Sequence, residues 1–523
     1  MKRFFILSML VMFTIVQVKA YDFHSLNNEG IRIYYEVLAG AGNRVMVVSS
    51  AGAIPSYSGL VNIPERVSYE GIEYVVEGIG SKAFEWCPEL TEVILPPSLK
   101  TIRENAFYQC VKLKKINFPD AITSIRYYAF YNCTSLKTIS LGANLTEIRE
   151  YAFYQCNAVE SVTFGNKVSL IDIGAFALCS KLKSVILPES LEEIGDDAFS
   201  TTGLSSITIP KSVKSIGRSA FSNCPDLEQV FIGDNVSFIG IFAFRTCYAL
   251  KQFTVSEQNK NYSIHDGSLV NKDKTIFVAF PSGKTTVNFP ASVKTIGEGA
   301  FGSCLLTEIT LPNSVDSIGP EAFSDCSELE NIIFPQNLKV IAHRAFQNDG
   351  ALKNINIPDN VVSIGEYAFS YCTNVQEIVI GKNVTEIGNS AFNGIGWKMS
   401  LFNRNPVPQI VEDLGLNYYT ITLFVPKGSV DLYKKANYWS IFYLITDDES
   451  LVANDDLINK NITIFNTNDG ITVNSVKPVT VAVYTISGQM VYQKQMKDKL
   501  DIQLQRGFYI IKAGDVTQKM YVK

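Results

Sequence analysis

The sequence is poor in histidine, the side chain that serves most often in metal and acid–base sites. It has three histidines among 523 residues, and they lie far apart at His24, His265 and His343. It also lacks GxSxG, HExxH, glycine-rich phosphate-loop and EF-hand motifs, and no CxxC pair occurs. These absences argue against a zinc site and a Ser-His-Asp triad. We therefore expect no catalytic site, no metal and no cofactor.

Neither an excess of positive charge nor a second long apolar run is present. The chain has 46 basic and 51 acidic side chains, which disfavours binding to nucleic acid. Its long apolar run, residues 4–18, follows Lys2-Arg3 and precedes Lys19-Ala20. This is the layout of a secretory signal, and the run is short for a hydrocarbon core of ~30 Å. We expect cleavage near Ala20 and no membrane-spanning segment, with an uncleaved anchor as the alternative.

What the sequence does contain is a repeat. Thirteen Ala-Phe dipeptides recur every 22 or 23 residues, apart from one interval of 57. Each is followed by Leu-x-x-Ile-x-Leu/Phe, a period-2 alternation that predicts a strand, and usually by a proline that ends it. Stacking such units buries apolar side chains that a single unit cannot bury. The pattern predicts a repeat solenoid, of the leucine-rich repeat type by its period, with one short β-strand per turn. The phenylalanines are Phe84, Phe107, Phe130, Phe153, Phe176, Phe199, Phe221, Phe244, Phe301, Phe323, Phe346, Phe369 and Phe392.

All ten cysteines lie three residues after a repeat phenylalanine. In an exported protein such a set suggests disulfides. However, stacked side chains point the same way at a rung spacing of ~4.8 Å, whereas disulfides need Cβ atoms ~3.8 Å apart and converging. We therefore expect buried reduced thiols, with a disulfide framework as the alternative. The structural ladder is predicted to include Phe107, Phe130, Phe153 and Phe176 with Cys110, Cys133, Cys156 and Cys179.

The frame Ala-Phe-x-x-Cys-x-x-Leu-x-x-Ile-x-Leu-Pro, followed by Ile-Gly, resembles the BspA-type leucine-rich repeat over residues 61–400. The segment Leu423–Ser429, with Tyr433, Trp439 and Phe442, is similar to the closing segment of that family. The resemblance implies a β-rich N-terminal cap over 21–60 and a C-terminal cap over 401–446. It also implies a surface protein that adheres to host matrix proteins or to other cells.

Two regions depart from the repeat. The long unit, residues 245–300, contains Asp266-Gly267 and Asn271–Lys274, which predict turns and an inserted hairpin. This insertion is interpreted either as a contact element or as a structural irregularity. Residues 447–461 are polar and predict a linker, and short strands over 462–523 predict a C-terminal antiparallel β-sandwich.

The C-terminal segment resembles the type IX secretion sorting domain of Bacteroidota. The resemblance rests on Val483–Gln489, Gly507–Ile510 and the basic ending Lys519–Lys523. It implies passage across the outer membrane and attachment to the cell surface. The alternative is a plain terminal β domain.

Two groups of side chains are candidate binding surfaces. The first is a set of apolar residues on strand positions that should face outward, where isolated exposed apolar residues are the ordinary alternative. The second is a tyrosine group beside the Ala-Phe dipeptides, for which packing on the flank is the alternative. The first set is Ile94, Ile186, Phe231, Ile333 and Val379, and the second is Tyr108, Tyr128, Tyr131, Tyr151 and Tyr154.

The sequence therefore predicts a non-enzymatic protein, exported to the cell surface and monomeric. Its partner is expected to be an extracellular or host protein of matrix type, or a glycan. A carbohydrate-binding surface protein and a structural component of a surface coat are the alternatives, and an enzyme with an unrecognised site ranks below them.

Overall fold

The computed structural model describes residues 21–40, 42–50, 57–396, 399–448, 462–467, 470–513 and 516–522. The predicted secretory signal, residues 1–20, lies outside them, as does most of the predicted linker. The described residues form two units. The first contains the residues up to 376 together with Asn383–Gly396 and Gln409–Leu416, and the second contains Glu377–Lys382 and the described residues of 397–408 and 417–523.

The first unit is a solenoid built on very short parallel strands. Each regular turn contributes a two-residue strand whose second residue is most often a buried isoleucine, and strands of successive turns pair in parallel. The solenoid predicted from the period is thus confirmed. The strands before the long unit are Thr101–Ile102, Ser124–Ile125, Glu147–Ile148, Leu170–Ile171, Glu193–Ile194, Ser215–Ile216 and Phe238–Ile239; those after it are Thr295–Ile296, Ser317–Ile318, Val340–Ile341, Ser363–Ile364 and Glu386–Ile387.

A second set of strands follows the Leu-x-x-Ile pattern, with the central apolar residue buried and its neighbours mostly exposed. Strands at the N-terminal end precede the array, and the first three of them pair antiparallel. The second set is Gly59–Asn62, Leu90–Ile94, Lys115–Ile116, Thr138–Ser140, Ser161–Thr163, Ser206–Thr208, Gln229–Ile232, Phe253–Val255, Glu308–Thr310, Asn331–Ile333 and Asn354–Asn356. The N-terminal strands are Phe23–Leu26, Arg32–Val37, Arg44–Val48, Arg66–Tyr69 and Ile72–Ile79.

The repeat phenylalanines form the spine of the solenoid. From Phe84 to Phe244 each ring lies 4.9–5.5 Å from the next, with ring planes within 10° of parallel. From Phe301 to Phe392 the spacing is 4.9–5.8 Å. Aromatic pairs of this kind contribute about 0.5–1.5 kcal/mol each beyond the apolar area that they bury. Stacking therefore favours an aromatic ring at this position in every unit.

The backbone around each phenylalanine also follows a rule. The residues two before and two after the ring have positive φ, as at Asn105 (55°) and Gln109 (63°) beside Phe107. The N–H groups of these three residues donate to three carbonyls of the next turn at 2.7–3.2 Å. Left-handed φ is costly for side chains other than glycine. The repeated hydrogen bonds and ring stacking offset this cost in every regular turn.

The long unit contains the predicted hairpin and one feature that the sequence reasoning missed. Its strands Tyr262–His265, Ser268–Asn271 and Ile276–Ala279 pair antiparallel. Ala279-Phe280 is a fourteenth Ala-Phe dipeptide, 36 residues after Phe244 and 21 before Phe301, so it falls outside the period. The Phe280 N–H donates to the Ala300 carbonyl at 2.8 Å, as a regular ladder residue does.

The second unit holds one parallel and one antiparallel set of strands. The parallel strands Ser400–Asn403, Thr422–Phe424 and Leu444–Thr446 extend from Glu377–Ile380. A short α-helix, Val430–Lys435, and a 3-10 helix, Trp439–Ile441, lie between the last two. Tyr433 in the first and Trp439 in the second are buried.

The C-terminal strands differ from the expected sandwich. They are joined into one five-stranded antiparallel sheet, so the sandwich is not confirmed. The long strand Met490–Gln503 includes a polar run that stays extended, and its Met496 and Leu500 are buried opposite Val479 and Val473. The five strands are Ile462–Thr467, Gly470–Thr485, Met490–Gln503, Gly507–Ala513 and Val516–Val522.

Candidate functional site

Five tyrosines form a continuous aromatic group on the first part of the solenoid, which we call the tyrosine surface: Tyr108, Tyr128, Tyr131, Tyr151 and Tyr154. They stand in two columns. In one column the ring of Tyr131 stacks between the other two, at 4.9 and 5.0 Å. In the other, Tyr128 and Tyr151 stack at 5.1 Å. Contacts of 5.6 and 5.7 Å join the columns, so the five rings form one compact cluster.

The repeat frame explains why these side chains meet. Three of them directly follow a ladder phenylalanine, and the other two stand two residues before one. Because equivalent positions lie one rung apart, tyrosines in successive turns must stack. Tyr128 and Tyr151 have φ of 57° and 56°, which is unusual for an aromatic residue. The sequence thus places aromatic rings at positions where the backbone alone would favour glycine or asparagine.

The hydroxyl groups of the tyrosine surface are open to new partners. All five side chains are half-buried, and none of the described residues hydrogen bonds to their hydroxyls. Partial burial, followed by the neighbouring tyrosines, raises the pKa of Tyr131. Burial and Tyr128 likewise raise the pKa of Tyr151. Tyr131 and Tyr151 therefore keep their hydroxyl protons at neutral pH and can both donate and accept hydrogen bonds.

The ends of the stacks include residues that the sequence reasoning did not select. Trp86, 51% exposed, lies edge-on to Tyr108 at 6.0 Å, and Tyr127, 45% exposed, lies beside Tyr128. At the other end a Cβ on Gly174 would stand 2.5 Å from the Tyr151 ring, so the backbone covers that ring face. The sequence signal for both is their closeness to a repeat phenylalanine, since Trp86 is two residues after Phe84 and Tyr127 is three residues before Phe130.

The outward apolar residues divide into exposed and buried cases. Ile186 is 88% exposed, Ile333 62%, Ile94 39% and Phe231 38%. The strand neighbours of Ile94, Phe231 and Ile333 are polar: Asn62 beside Ile94, Thr208 and Thr254 beside Phe231, and Thr310 beside Ile333. Ile186 was expected on a strand, but residues 182–188 form none. Val379 is 6% exposed, which contradicts the prediction. Val379 lies opposite Phe402 on the next strand of the second unit. A large aromatic residue therefore stands beside Val379, whereas the exposed apolar residues of regular turns have small polar neighbours.

Comparison with known proteins agrees with this geometry. Residues 71–183, 146–274 and 282–398 match the family described as BspA type leucine rich repeat region. The chain belongs to the BspA-type leucine-rich repeat family. No curated protein matches the chain.

The chain is similar to solved structures from several bacteria. A leucine rich cell surface protein from Faecalibacterium prausnitzii is 27% identical, with 70% of this chain and 90% of that chain covered and a TM-score of 0.53. A leucine-rich repeat protein from Bacteroides ovatus is 27% identical over 67% of this chain and 94% of that chain, with a TM-score of 0.38. The pneumococcal vaccine antigen PcpA is 20% identical over 82% and 99%, with a TM-score of 0.47.

The cysteine position of the BspA-type repeats has a structural role here. All ten cysteines are buried, reduced thiols. Their thiols mostly donate to the carbonyl of the phenylalanine one turn earlier, as from Cys110 to Phe84 at 3.1 Å and from Cys133 to Phe107 at 3.3 Å. Burial raises the pKa of Cys133 and, to about 11, that of Cys87. The thiols of Cys87 and Cys133 are therefore protonated and not nucleophilic.

The remaining titratable residues do not converge. The three histidines lie in separate elements, and His265 keeps Nε2 buried without a partner. Within the described residues no group of three His, Cys, Asp or Glu side chains could hold a metal ion. None of the helices that these residues form has the length and apolarity needed to cross a membrane.

Proposed function

We propose that this BspA-type protein is an exported cell-surface binding protein that adheres to extracellular or host macromolecules, with a protein as its first class of partner. Family membership and the cell-surface description of the Faecalibacterium relative support the location. The secretory signal near Ala20 and the sorting-like segment 462–523 are part of the proposal. The observation that carries the binding function is the tyrosine surface.

The orientation of the rings favours a protein over a glycan. Sugars pack on the faces of aromatic rings, whereas protein interfaces also use tyrosine edges and hydroxyls. In both columns the rings stack face to face within 13° of parallel, so they cover one another's faces. What remains accessible is a row of edges and hydroxyl groups. Such a row suits the mixed polar and apolar surface of a folded protein or a matrix fibre.

Carbohydrate binding is the second candidate, and one observation favours it. Trp86 and Tyr127 are about half exposed at the margin of the tyrosine surface, so their rings are available for stacking on a sugar. This candidate assigns affinity to these two rings, whereas the first assigns it to the tyrosine hydroxyls. The two candidates therefore differ in the substitutions that abolish binding.

The test is a binding screen of the purified chain on panels of matrix proteins and glycans. The triple variant Tyr108→Phe, Tyr131→Phe, Tyr154→Phe removes three hydroxyls and keeps the stack. We expect it to weaken binding to the protein partner about tenfold or more, because interface tyrosines are frequent hot spots. The single changes Tyr128→Ala and Tyr151→Ala should weaken binding as well.

The matched control is Tyr367→Ala. Tyr367 occupies the same repeat position as Tyr128 and has φ of 53°, but it lies outside the tyrosine surface. Its loss should leave binding unchanged. A signal on glycans alone that is lost in Trp86→Ala and Tyr127→Ala would reverse the order of the two candidates. Protein binding that is untouched by all the tyrosine changes would show that the tyrosine surface is not the site.

A further inference from the structure

In a regular Ala-Phe turn, three backbone N–H groups donate hydrogen bonds to carbonyls of the next turn. In the turn before the last ring of the first ladder, Ser219, Phe221 and Asn223 donate to carbonyls of the following turn at 3.0, 2.8 and 2.9 Å. Beyond the long unit, Gly299, Phe301 and Ser303 do the same at 3.0, 2.7 and 2.9 Å. The acceptors are alternate carbonyls of one chain segment. The repeat is thus a template for binding an extended backbone.

One turn keeps this template but lacks the segment. The N–H groups of Phe242, Phe244 and Thr246 have no acceptor among the described residues. The turn itself is regular, since φ is 61° at Phe242 and 59° at Thr246, and the Phe244 ring stacks on Phe221 at 5.5 Å. The three donors therefore point along the stack, as they do in the other turns. Backbone donors without an acceptor are uncommon in folded chains, so these three N–H groups are available to an arriving acceptor.

A cavity of about 400 Å³ is lined by two of the three donor residues, Phe242 and Phe244, but not by Thr246. Its other walls include Phe238–Ile241, Ile276, Val278–Phe280, Gly297–Ala300 and Gly302. The long unit creates the gap because its Ala-Phe turn pairs forward, from Phe280 to Ala300, and not backward to Phe244. The strand Phe238–Ile239 is also the last of its sheet, and the next sheet begins in the hairpin. The solenoid is one rung short at this point, and the opening is lined mostly by apolar side chains and glycine.

Two arginines border the cavity. Arg245 is fixed, because its Nε donates to Ser303 Oγ and its Nη2 to Asp325, both at 2.7 Å. Its guanidinium also covers the Phe242 ring at 4.6 Å. Arg218 is exposed, lies 5.9 Å from the same ring and makes no ion pair with the described residues, although Asp196 and Glu298 also line the cavity. Asp196 Oδ1 accepts the backbone N–H of Arg218 at 2.7 Å, so the Arg218 guanidinium can still pair with a ligand carboxylate that keeps clear of these two acidic side chains.

We propose that this gap is a docking site for an extended peptide segment of a partner protein, which supplies the missing rung. Alternate carbonyl oxygens of the peptide accept the N–H groups of Phe242, Phe244 and Thr246. An acidic side chain of the peptide pairs with Arg218, and apolar side chains meet Ile276 and Val278. The geometry is that of strand addition, in which backbone hydrogen bonds provide affinity and pockets provide specificity. One small carboxylate cannot reach donors that are spread over five residues, so a peptide fits better than a free anion.

This inference is independent of the tyrosine surface, because it uses a different set of side chains. Its first test needs no ligand. Hydrogen–deuterium exchange of the purified chain should show the amides of Phe242, Phe244 and Thr246 exchanging at least about tenfold faster than those of Ser219, Phe221 and Asn223. Equal protection of the two sets would mean that the gap is closed, and would overturn the proposal.

The second test uses a displayed library of random short peptides, selected on the purified chain. We expect selected peptides to carry an acidic residue, to protect the amides of Phe242, Phe244 and Thr246, and to bind the Arg218→Ala variant about tenfold more weakly. The matched control is Arg344→Ala, since Arg344 also lies 5.9 Å from an aromatic ring, that of Tyr367. Arg218 is exposed, so its loss should not prevent folding.

A third variant, Ala279→Trp, places a large side chain in the cavity wall and should abolish binding of the selected peptides. Its melting temperature, compared with that of the unchanged chain, shows whether it folds. Failure to select any peptide, or peptides that bind Arg218→Ala and Arg344→Ala equally and leave the three amides unprotected, would overturn the proposal. If the selected peptides lost binding to the tyrosine-surface variants but kept binding to Arg218→Ala and Ala279→Trp, that result would also count against the proposal.

Discussion

The two ladders of the solenoid share one interior and differ in their surfaces. The rings from Phe84 to Phe244 and from Phe301 to Phe392 stack with nearly the same spacing, and the isoleucines of both sets of short strands are buried except Ile239, which is partly exposed. Yet five tyrosines cluster on the first ladder, whereas on the second Tyr367 and Tyr371 stand in one turn. The interior is set by the requirements of stacking. The outer positions are free to vary, and recognition must therefore be sought there.

The interior part of this comparison predicts equal and large effects. Phe130→Ala in the first ladder and Phe346→Ala in the second should each lower the free energy of unfolding by about 3–5 kcal/mol, because each removes a buried ring between two neighbours. Urea unfolding followed by circular dichroism measures this. Ile186→Ala, at an 88% exposed position, is the control and should change little. A much smaller loss in one ladder would show that the two interiors are not equivalent.

The position that most repeats fill with cysteine has a different exception in each ladder. In one turn of the second ladder it is Asp349, which is fully buried. Asp349 Oδ1 accepts the Cys326 N–H at 2.8 Å, but Oδ2 is buried without a partner. Burial raises the pKa of this carboxyl well above its ordinary value. In the first ladder Thr202 fills the same position without charge, and its hydroxyl donates to Phe199 at 2.9 Å.

Asp349→Cys should therefore stabilise the protein, and more so at higher pH. A carboxyl whose pKa is raised in the folded state loses stability as pH rises from its unfolded value of about 4 towards the folded pKa. We expect a gain of about 1–3 kcal/mol at pH 8 and a smaller gain at pH 5, measured by urea unfolding. Thr202→Cys should show a small change that is independent of pH. A gain from Asp349→Cys that is equal at both pH values would contradict an ionisable cause.

The repeat interior could be predicted from the sequence because each position in the frame has one structural task. A phenylalanine, a buried thiol and an isoleucine recur at fixed spacing, and stacking requires them to meet. The tyrosine cluster could be predicted on the same ground, since equivalent positions lie one rung apart. Its compact form could not, because the contact between the two columns depends on side-chain directions at left-handed residues such as Tyr128.

The errors arose where the period stops. Val379 was expected to face outward by analogy with regular turns, but Phe402 on the following strand covers it. Ala279-Phe280 was missed because it lies out of phase with the repeat. The N–H groups of Phe242, Phe244 and Thr246 lack acceptors among the described residues because Ala279-Phe280 pairs with the following turn and not with the turn of Phe244. No local pattern encodes this placement, since it depends on how the long unit packs on the turn before it.

The smallest expected effect concerns the charged surface. Lys115 and Glu92 form an ion pair at 2.8 Å across adjacent rungs of the first ladder, with the lysine side chain 74% exposed. Lys353 and Glu330 form an equivalent pair on the second. Exposed pairs contribute about 0–1 kcal/mol because solvent screens them and holding two long side chains costs entropy. Double-mutant cycles on both pairs, at low and high salt, should give small coupling energies that fall with salt. A coupling above this range in one ladder would show that its surface charges, and not only its buried rings, distinguish that ladder's stability.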